Sequence, residues 1–179
     1  MTGIPRRASA SDRDAIERCM KSSARALGRP FYDDRQNESF VAHVAVVDDQ
    51  LVADGTYFVV EAESGAVVAC GGWSRRDKLF TGNDGAAGGG RLLDPSHEPA
   101  RVRAMFVAPE AARRGLGRRI LETCEGDARR EGFVTGELMA TLPGVPLYRA
   151  CGYEDVEPFD VVLPDGVKLP CIRMRKSLG

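Results

Sequence analysis

The chain has 179 residues, of which 43% are hydrophobic and 28% are charged, and its net charge is −1 at pH 7. This length and composition fit one globular domain with a substantial core, and the near-zero charge argues against a general surface for nucleic acid or anionic membranes. The five cysteines show no CxxC spacing, no apolar run reaches the 18 residues of a membrane helix, and the first residues lack an apolar signal core, so we expect a cytoplasmic chain without disulfides or a metal site.

The N-terminal part of the chain predicts a short strand and two helices. A strand is expected at residues 4–8, and Ser11 with Asp14 resembles a capping box at the start of the first helix. The Gly-Arg-Pro sequence at residues 28–30 ends that helix. The apolar spacing then predicts a second helix over about residues 34–44.

A β-hairpin and a glycine-rich segment come next. Residues 55–62 and 66–73 alternate apolar and β-branched residues around a Glu-Ser-Gly turn, which predicts two antiparallel strands. Residues 77–100 contain a run of three glycines and two prolines. A connection of this length without regular structure is either functional or disordered, and we expect a flexible loop insertion there.

The stretch from the strand at residues 101–107 to the following helix predicts a binding site for phosphate. Pro109 ends the strand, and ArgArgGlyLeuGlyArg at residues 113–118 leads into an amphipathic helix. Unpaired N–H groups at a helix start and the helix dipole attract an anion, and arginines add full charges. A P-loop is excluded because its lysine motif is absent, and a dinucleotide fingerprint fails because Ile120 occupies the third glycine position. The alternative is an ordinary helix start with solvated arginines.

The remaining residues predict a strand, a short helix and a closing hairpin. The strand is expected at residues 133–140, and the helix carries Tyr148. Residues 156–163 and 169–174 form the hairpin. The predicted fold is therefore α+β, with an α/β-like three-layer arrangement: a mixed, mostly antiparallel central sheet of about six to seven strands flanked by helices, in one domain over residues 1–179.

Two motifs in this order resemble the GNAT superfamily of N-acetyltransferases. The sequence at residues 113–118, after strand-Val-x-Pro, is similar to the acyl-CoA signature Arg/Gln-x-x-Gly-x-Gly/Ala, with Ala112 at its leading position. LeuTyrArgAlaCysGlyTyr at residues 147–153 resembles the family motif Tyr-x-x-x-Gly-Phe/Tyr. The two motifs and the elements around them cover roughly residues 101–176.

The resemblance implies the GNAT fold and an enzyme that transfers an acetyl group from acetyl-CoA to a primary amine by direct attack in a ternary complex. It implies a small-molecule or peptide amine as acceptor and a possible homodimer. From the near-zero net charge and the lack of a long apolar run, we expect no nucleic acid or membrane partner. It also implies that one set of residues binds the acyl-CoA: Met105, Phe106 and Val107 along the pantetheine, Arg113, Arg114, Gly115, Leu116, Gly117 and Arg118 around the pyrophosphate, and Thr141. Thr141 could equally be a helix cap.

Two residues are candidates for catalysis. Tyr148 matches the family tyrosine that protonates the departing sulfur of CoA, while the alternative is an aromatic that only packs. Glu137, in the preceding strand, is the candidate general base, with a solvated or salt-bridged glutamate as the alternative. The family pattern also puts residues 31–34 beside the acceptor entrance, where they could instead form an exposed helix start, and makes residues 77–100 a candidate flap near the acceptor.

Two other functions stay open at this stage. A GNAT-fold protein could bind acyl-CoA as a sensor or partner module without turnover. A nucleotide-binding module could use the same phosphate site without the downstream tyrosine motif.

Overall fold

A seven-stranded sheet organises the chain, and our computed structural model describes residues 3–80 and 90–179 of it. The strands are β1 (Arg6–Arg7), β2 (Tyr57–Glu61), β3 (Val67–Ser74), β4 (Ala100–Val107), β5 (Thr135–Thr141), β6 (Glu154–Val162) and β7 (Lys168–Ser177). The helices are α1 (Arg13–Gly28), α2 (Asp34–His43), α3 (Asp49–Ala53), α4 (Leu116–Arg130) and α5 (Val145–Ala150). The strand order is β1-β2-β3-β4-β5-β7-β6. All neighbours are antiparallel except β4 and β5, which confirms the predicted mixed sheet.

Strand β3 lies in the middle of the layered structure. The Cys70 thiol meets Cys19 of α1. A Cβ added to the next residue, Gly71, would contact Ile120 of α4. Because successive residues of a strand face opposite sides, α1 and α4 cover opposite faces of the sheet. Both faces of β3 are consequently buried, which fits its apolar, small-residue sequence.

The sheet splits between β4 and β5. These parallel strands pair only at Ala100 with Gly136 and at Arg101 with Glu137. Beyond this point β4 stays paired with β3 as far as Val107, and β5 stays paired with β7 as far as Thr141. The two strands therefore diverge and leave a cleft between them, with one unpaired backbone edge on each side.

A β-bulge lies in β4 on the wall of this cleft. One residue of β3, Gly71, faces two residues of β4, Ala104 and Met105. Ala104 has a φ of 53°, a left-handed conformation that costs a non-glycine residue about 1–2 kcal/mol. The Tyr57 hydroxyl donates a hydrogen bond to the Ala104 carbonyl at 2.7 Å. A Cβ on Gly71 would collide with the Met105 sulfur and with a methyl carbon of Ile120, so glycine leaves room for these two side chains beside the bulge.

The N-terminal elements differ from the sequence prediction in detail. The capping box is formed by Ser9 and Asp12, not by Ser11 and Asp14, because a short 3-10 turn precedes α1. The Asp12 carboxylate accepts from the Ser9 N–H at 2.7 Å. The predicted first strand is reduced to β1, and α3 was not predicted because five residues are too short for a helical period. Within the described residues, no helix is long and apolar enough to cross a membrane.

The glycine-rich segment predicted at residues 77–100 is partly described. Its central part, residues 81–89, lies outside the described residues, and so does that part of the predicted flap. The two flanks hold each other through backbone hydrogen bonds from Asp77 to Arg91 at 2.9 Å and from Leu93 to Arg75 at 2.8 Å. The Leu93 side chain is buried in the core. The flanks are thus anchored to the end of β3.

Candidate active site

The cleft between β4 and β5 is the main candidate site. Its lining comes from the two diverging strands, from α5 and from the residues after α2 and β3: Val44, Leu79, Phe80, Val102, Arg103, Ala104, Met105, Phe106, Leu138, Met139, Thr141 and Tyr148. Most of these side chains are apolar. Among the described lining residues, Arg103 is the one charged side chain and Tyr148 the one phenol. The cleft therefore suits an extended, largely apolar chain with polar chemistry at a few positions.

A turn with two left-handed residues follows β4 and leads into α4. Arg113 has a φ of 60° and Gly115, the N-cap of α4, a φ of 79°. The first backbone hydrogen bond of the helix runs from the Arg119 N–H to the Gly115 carbonyl at 3.1 Å. The N–H groups of residues 116–118 therefore have no partner in the preceding turn, as at any helix start. A Cβ added to Gly115 would meet no atom within 4 Å, so the space above this turn is open.

The arginines of this turn are exposed. In the part of the chain that the structure describes, neither Arg113 nor Arg114 makes an ion pair, and Arg118 makes one weak contact with the Ala150 carbonyl at 3.5 Å. Together with the open N–H groups, these side chains give the helix start a positive potential. The predicted phosphate-binding residues are thus brought together at one place.

Helix α5, which carries Tyr148, packs closely against the start of α4. A Cβ on Gly117 would lie 2.9 Å from a methyl carbon of Leu147, so the second glycine of the turn permits this approach. Gly144 has the same role before α5, since a Cβ there would lie 2.9 Å from the Tyr148 ring. Close packing of the two helices fixes the tyrosine relative to the turn.

Tyr148 is buried and lies on the cleft wall. Its ring meets the Tyr153 ring edge to face, with the centroids 5.9 Å apart. Burial raises the pKa of the Tyr148 phenol above its usual value near 10. The phenol consequently keeps its proton throughout the range of ordinary assays and can act as a donor.

The predicted pantetheine residues lie along the same cleft. Met105, Phe106 and Thr141 line it, and Val107 is the last residue of β4. Phe106 also stacks on Phe40 of α2, with the ring centroids 6.2 Å apart. Thr141 ends β5 and precedes a 3-10 turn, and its side chain makes no capping hydrogen bond there.

Glu137, the predicted general base, lies away from the cleft lining and is ion-paired. Its Oε1 is 2.5 Å from Arg101 of β4, and its Oε2 is 2.5 Å from Arg175 of β7. The glutamate side chain is buried at the point where β4 and β5 join. Each of its carboxylate oxygens is paired with a guanidinium group, which compensates for the burial of the charge. Glu137 thus connects β5 to β4 and β7, which matches the salt-bridged alternative, and its role as general base stays a prediction.

We expect Glu137→Gln to lower the free energy of unfolding by about 2–3 kcal/mol, because it leaves two arginines facing a neutral amide in a buried site. Glu157→Gln is the matched control, since the exposed Glu157 pairs with Arg173 at 3.3 Å and should cost under about 1 kcal/mol. Urea unfolding measures both. A stable Glu137→Gln variant whose kcat falls a hundredfold would instead restore the catalytic role.

Residues 31–34, predicted to lie on the substrate side, form structural contacts. The Asp33 carboxylate caps α2 by accepting from the Gln36 N–H at 2.7 Å. The buried Tyr32 hydroxyl donates to the Pro170 carbonyl at 2.8 Å and accepts from the Leu142 N–H at 2.9 Å. Tyr32 thus links the end of α1 to the ends of β5 and β7.

Two features of the cleft were not predicted from the sequence. One is the bulge at Ala104, an ordinary residue in an unusual conformation. The other is Arg103, which is 6% exposed and whose Nη2 lies 2.8 Å from the Asp48 carboxylate. The alternation of residues in β4 could have indicated Arg103, because it puts Arg101 and Arg103 on one face of the strand and apolar residues on the other.

Comparisons with known proteins agree with this geometry. A family model described as "Acetyltransferase (GNAT) domain" matches residues 53–155. The IAA acetyltransferase of Azospirillum brasilense is 33% identical over 117 residues, which are 63% of this chain and 63% of that protein, so the match spans less than two thirds of that relative.

Solved structures share the fold over almost the whole chain. A GCN5-related N-acetyltransferase from Rhodopseudomonas palustris superposes with a TM-score of 0.73 at 18% identity, covering 99% of this chain and 96% of that one. The PaiA N-acetyltransferase from Thermoplasma acidophilum, solved in complex with coenzyme A, superposes with a TM-score of 0.67 at 12% identity, covering 99% of both chains.

Proposed function

The chain belongs to the GNAT acetyltransferase family, and from this premise we propose that it transfers an acetyl group from acetyl-CoA to a primary amine by direct attack in a ternary complex. The observation that carries the proposal is the split between β4 and β5, with a helix start at one end and a buried tyrosine on its wall. The PaiA N-acetyltransferase, which has the same fold, was solved in complex with coenzyme A.

The residues of the cleft and the turn fit coenzyme A. The unpaired edge of β4 can pair with an extended pantetheine chain as an added strand would. Residues 113–118 offer backbone N–H groups, open space above Gly115 and three exposed arginines for the pyrophosphate. Thr141, at the end of the opposite strand, faces the same cleft.

The chemistry assigns separate tasks to the chain's own residues. Bound acetyl-CoA supplies an activated thioester. The apolar walls around Met105 and Leu138 exclude water from the acyl group. The Ala104 bulge interrupts the β-ladder near the cleft. A backbone N–H group that this interruption leaves without a ladder partner can stabilise negative charge on the acyl oxygen. Tyr148, kept protonated by burial, donates its proton to the departing sulfur, and it regains a proton from solvent, which takes up the one that the nitrogen loses on becoming an amide.

The amine must attack in its neutral form. An alkyl ammonium has a pKa near 10.4, so deprotonation at pH 7 costs about 4–5 kcal/mol. Since Glu137 is committed to two arginines, we propose that the amine loses its proton to water at the open side of the cleft. The rate should then rise with pH up to the pKa of the amine.

The direct test is release of the CoA thiol from acetyl-CoA in the presence of a panel of small primary amines and N-terminal peptides. We expect at least one amine to accelerate thiol release about a hundredfold over the rate without amine. Mass spectrometry should find the product 42 mass units heavier, about the mass of an acetyl group in place of a proton, as general acyl-transfer chemistry requires. Tight binding of acetyl-CoA without turnover of any amine would favour a sensor instead.

A further inference from the structure

A buried arginine lies in the wall of an otherwise apolar cleft. Arg103 precedes the bulge in β4 and lines the cleft beside Val44 and Phe80. Its side chain is 3% exposed. The guanidinium group is charged at every physiological pH, and burying it costs several kcal/mol unless anionic partners compensate. A charge kept at such a position calls for an explanation in terms of either the fold or a ligand.

Asp48 is one partner of Arg103 within the fold. Asp48 lies 2.8 Å from the Arg103 Nη2, and the pair connects β4 to the start of α3. Asp48 caps α3 through its other oxygen, which accepts from the Gln50 N–H at 3.0 Å, and the Lys78 ammonium lies 3.8 Å from the oxygen that Arg103 approaches. Asp48 therefore has a cap and a second cation without Arg103. An apolar side chain at position 103 would continue the surrounding cleft wall.

Arg103 and Tyr148 reach the cleft from opposite faces of the sheet. Val102 belongs to the apolar cluster that contains Tyr148 and Leu138. Because neighbouring strand residues alternate, Arg103 points to the other face, toward Asp48. Tyr148, the proposed proton donor, must lie beside the departing sulfur of CoA. The amine must approach the acyl carbon by a separate path. The Arg103 side is consequently where an acceptor would enter.

We propose that Arg103, oriented by Asp48, binds a carboxylate group of the acceptor, so that the substrate is a small amine that also carries a carboxylate, such as an amino acid. This inference rests on the proposed acetyl transfer. A guanidinium is a planar fork of donors that matches the two oxygens of a carboxylate, and in a cleft with little water this pairing is strong. The acyl-CoA phosphates bind at the far end of the cleft, at residues 113–118, so Arg103 is not needed for them.

The test compares L-amino acids with their carboxamides as acceptors at saturating acetyl-CoA. We expect acids to be preferred in kcat/KM, and Arg103→Gln to reduce the acid-to-amide ratio by about 10- to 100-fold, the value of a charge-assisted hydrogen bond. The KM for acetyl-CoA should stay within about threefold. The amine pKa differs between acids and amides, but this difference belongs to the free substrates and cancels when the wild-type and variant ratios are compared.

Arg101→Gln is the matched control, since Arg101 lies on the same face of β4, pairs with Glu137 and does not line the cleft. It should lower stability and leave the acid-to-amide ratio unchanged. Arg103→Lys keeps a cation for Asp48 and guards against misfolding, and it should lose only part of the ratio because an ammonium lacks the fork. Circular dichroism and acetyl-CoA titration establish that each variant is folded.

Binding gives a second readout that needs no turnover. We expect N-acetyl-L-amino acids to bind the CoA-saturated protein at least tenfold more tightly than N-acetyl-L-amino acid amides, with the difference lost in Arg103→Gln. An equal ratio in the wild type and in Arg103→Gln, by turnover or by binding, would overturn the carboxylate site. Amide turnover without any preference would do so while leaving acetyl transfer intact, whereas failure of acetyl-CoA itself to bind would refute the proposed function.

Discussion

Tyr148→Phe should lower kcat by about a hundredfold while leaving the affinity for acetyl-CoA within about threefold of the wild type. The variant keeps the ring that packs on Tyr153 and loses only the buried hydroxyl on the cleft wall. General acids contribute about 10²- to 10⁴-fold, and a thiol with a pKa near 8.5 is already a tolerable leaving group, so the lower end of that range applies. Steady-state kinetics and isothermal titration separate the two quantities.

The pH dependence of the wild-type rate is a second test of Tyr148. Because burial raises the pKa of Tyr148, the wild-type rate should show no decline from phenol ionisation as the pH approaches 10. Tyr153→Phe is the control, as this neighbouring buried tyrosine does not line the cleft and its loss should change kcat by less than about threefold. An unchanged kcat for Tyr148→Phe across the pH range would remove the tyrosine from the mechanism.

Gly115→Glu should weaken acetyl-CoA binding by more than about a hundredfold, a loss of roughly 3 kcal/mol or more. The substitution puts a carboxylate at the helix start where we propose that the pyrophosphate binds, so like charges repel and the open space above the turn is filled. The fold should survive, because no atom lies within 4 Å of the added Cβ and an acidic side chain is favourable at a helix N-terminus. The left-handed backbone adds a cost of about 1–2 kcal/mol.

Two further variants separate the causes of this loss. Gly115→Ala has the same backbone strain without the charge, and it should weaken binding far less. Gly126→Glu adds the same charge to the same helix about 16 Å away along its axis. A Cβ at Gly126 would meet only the end of the Arg130 side chain, at 3.8 Å, so the added glutamate should be tolerated and acetyl-CoA affinity should stay near that of the wild type.

Local patterns predicted the parts of the site that are continuous in sequence. The turn at residues 113–118 was predicted from two glycines and flanking arginines, and in the structure Gly115 has a left-handed backbone. The fold class and the GNAT resemblance followed from the order of the elements and two short motifs, and both are confirmed. Helix and strand periods carry this information because neighbouring positions determine it.

The parts that depend on pairing across the sheet could not be predicted. Glu137 was a candidate base because some family members carry a glutamate at about this place in the strand before the tyrosine motif. One strand does not show which side chains its neighbours contribute, and in the structure Arg101 and Arg175 pair with this glutamate. The bulge at Ala104 has no sequence signal, since alanine rarely takes a positive φ and the contact with Gly71 comes from the adjacent strand. The burial of Arg103 depends on Asp48, 55 positions earlier in the chain.

Isothermal titration of acetyl-CoA, CoA and ATP into the wild type, Gly115→Glu and Gly126→Glu tests the central claim, that the helix start and the cleft form a CoA site. We expect acetyl-CoA and CoA to bind the wild type and Gly126→Glu with similar, micromolar-range dissociation constants, about −8 kcal/mol. Gly115→Glu should show no measurable heat, and ATP should bind far more weakly because it lacks the pantetheine arm that pairs with β4. Absence of acetyl-CoA binding to the wild type, or equal binding of ATP, would contradict the claim.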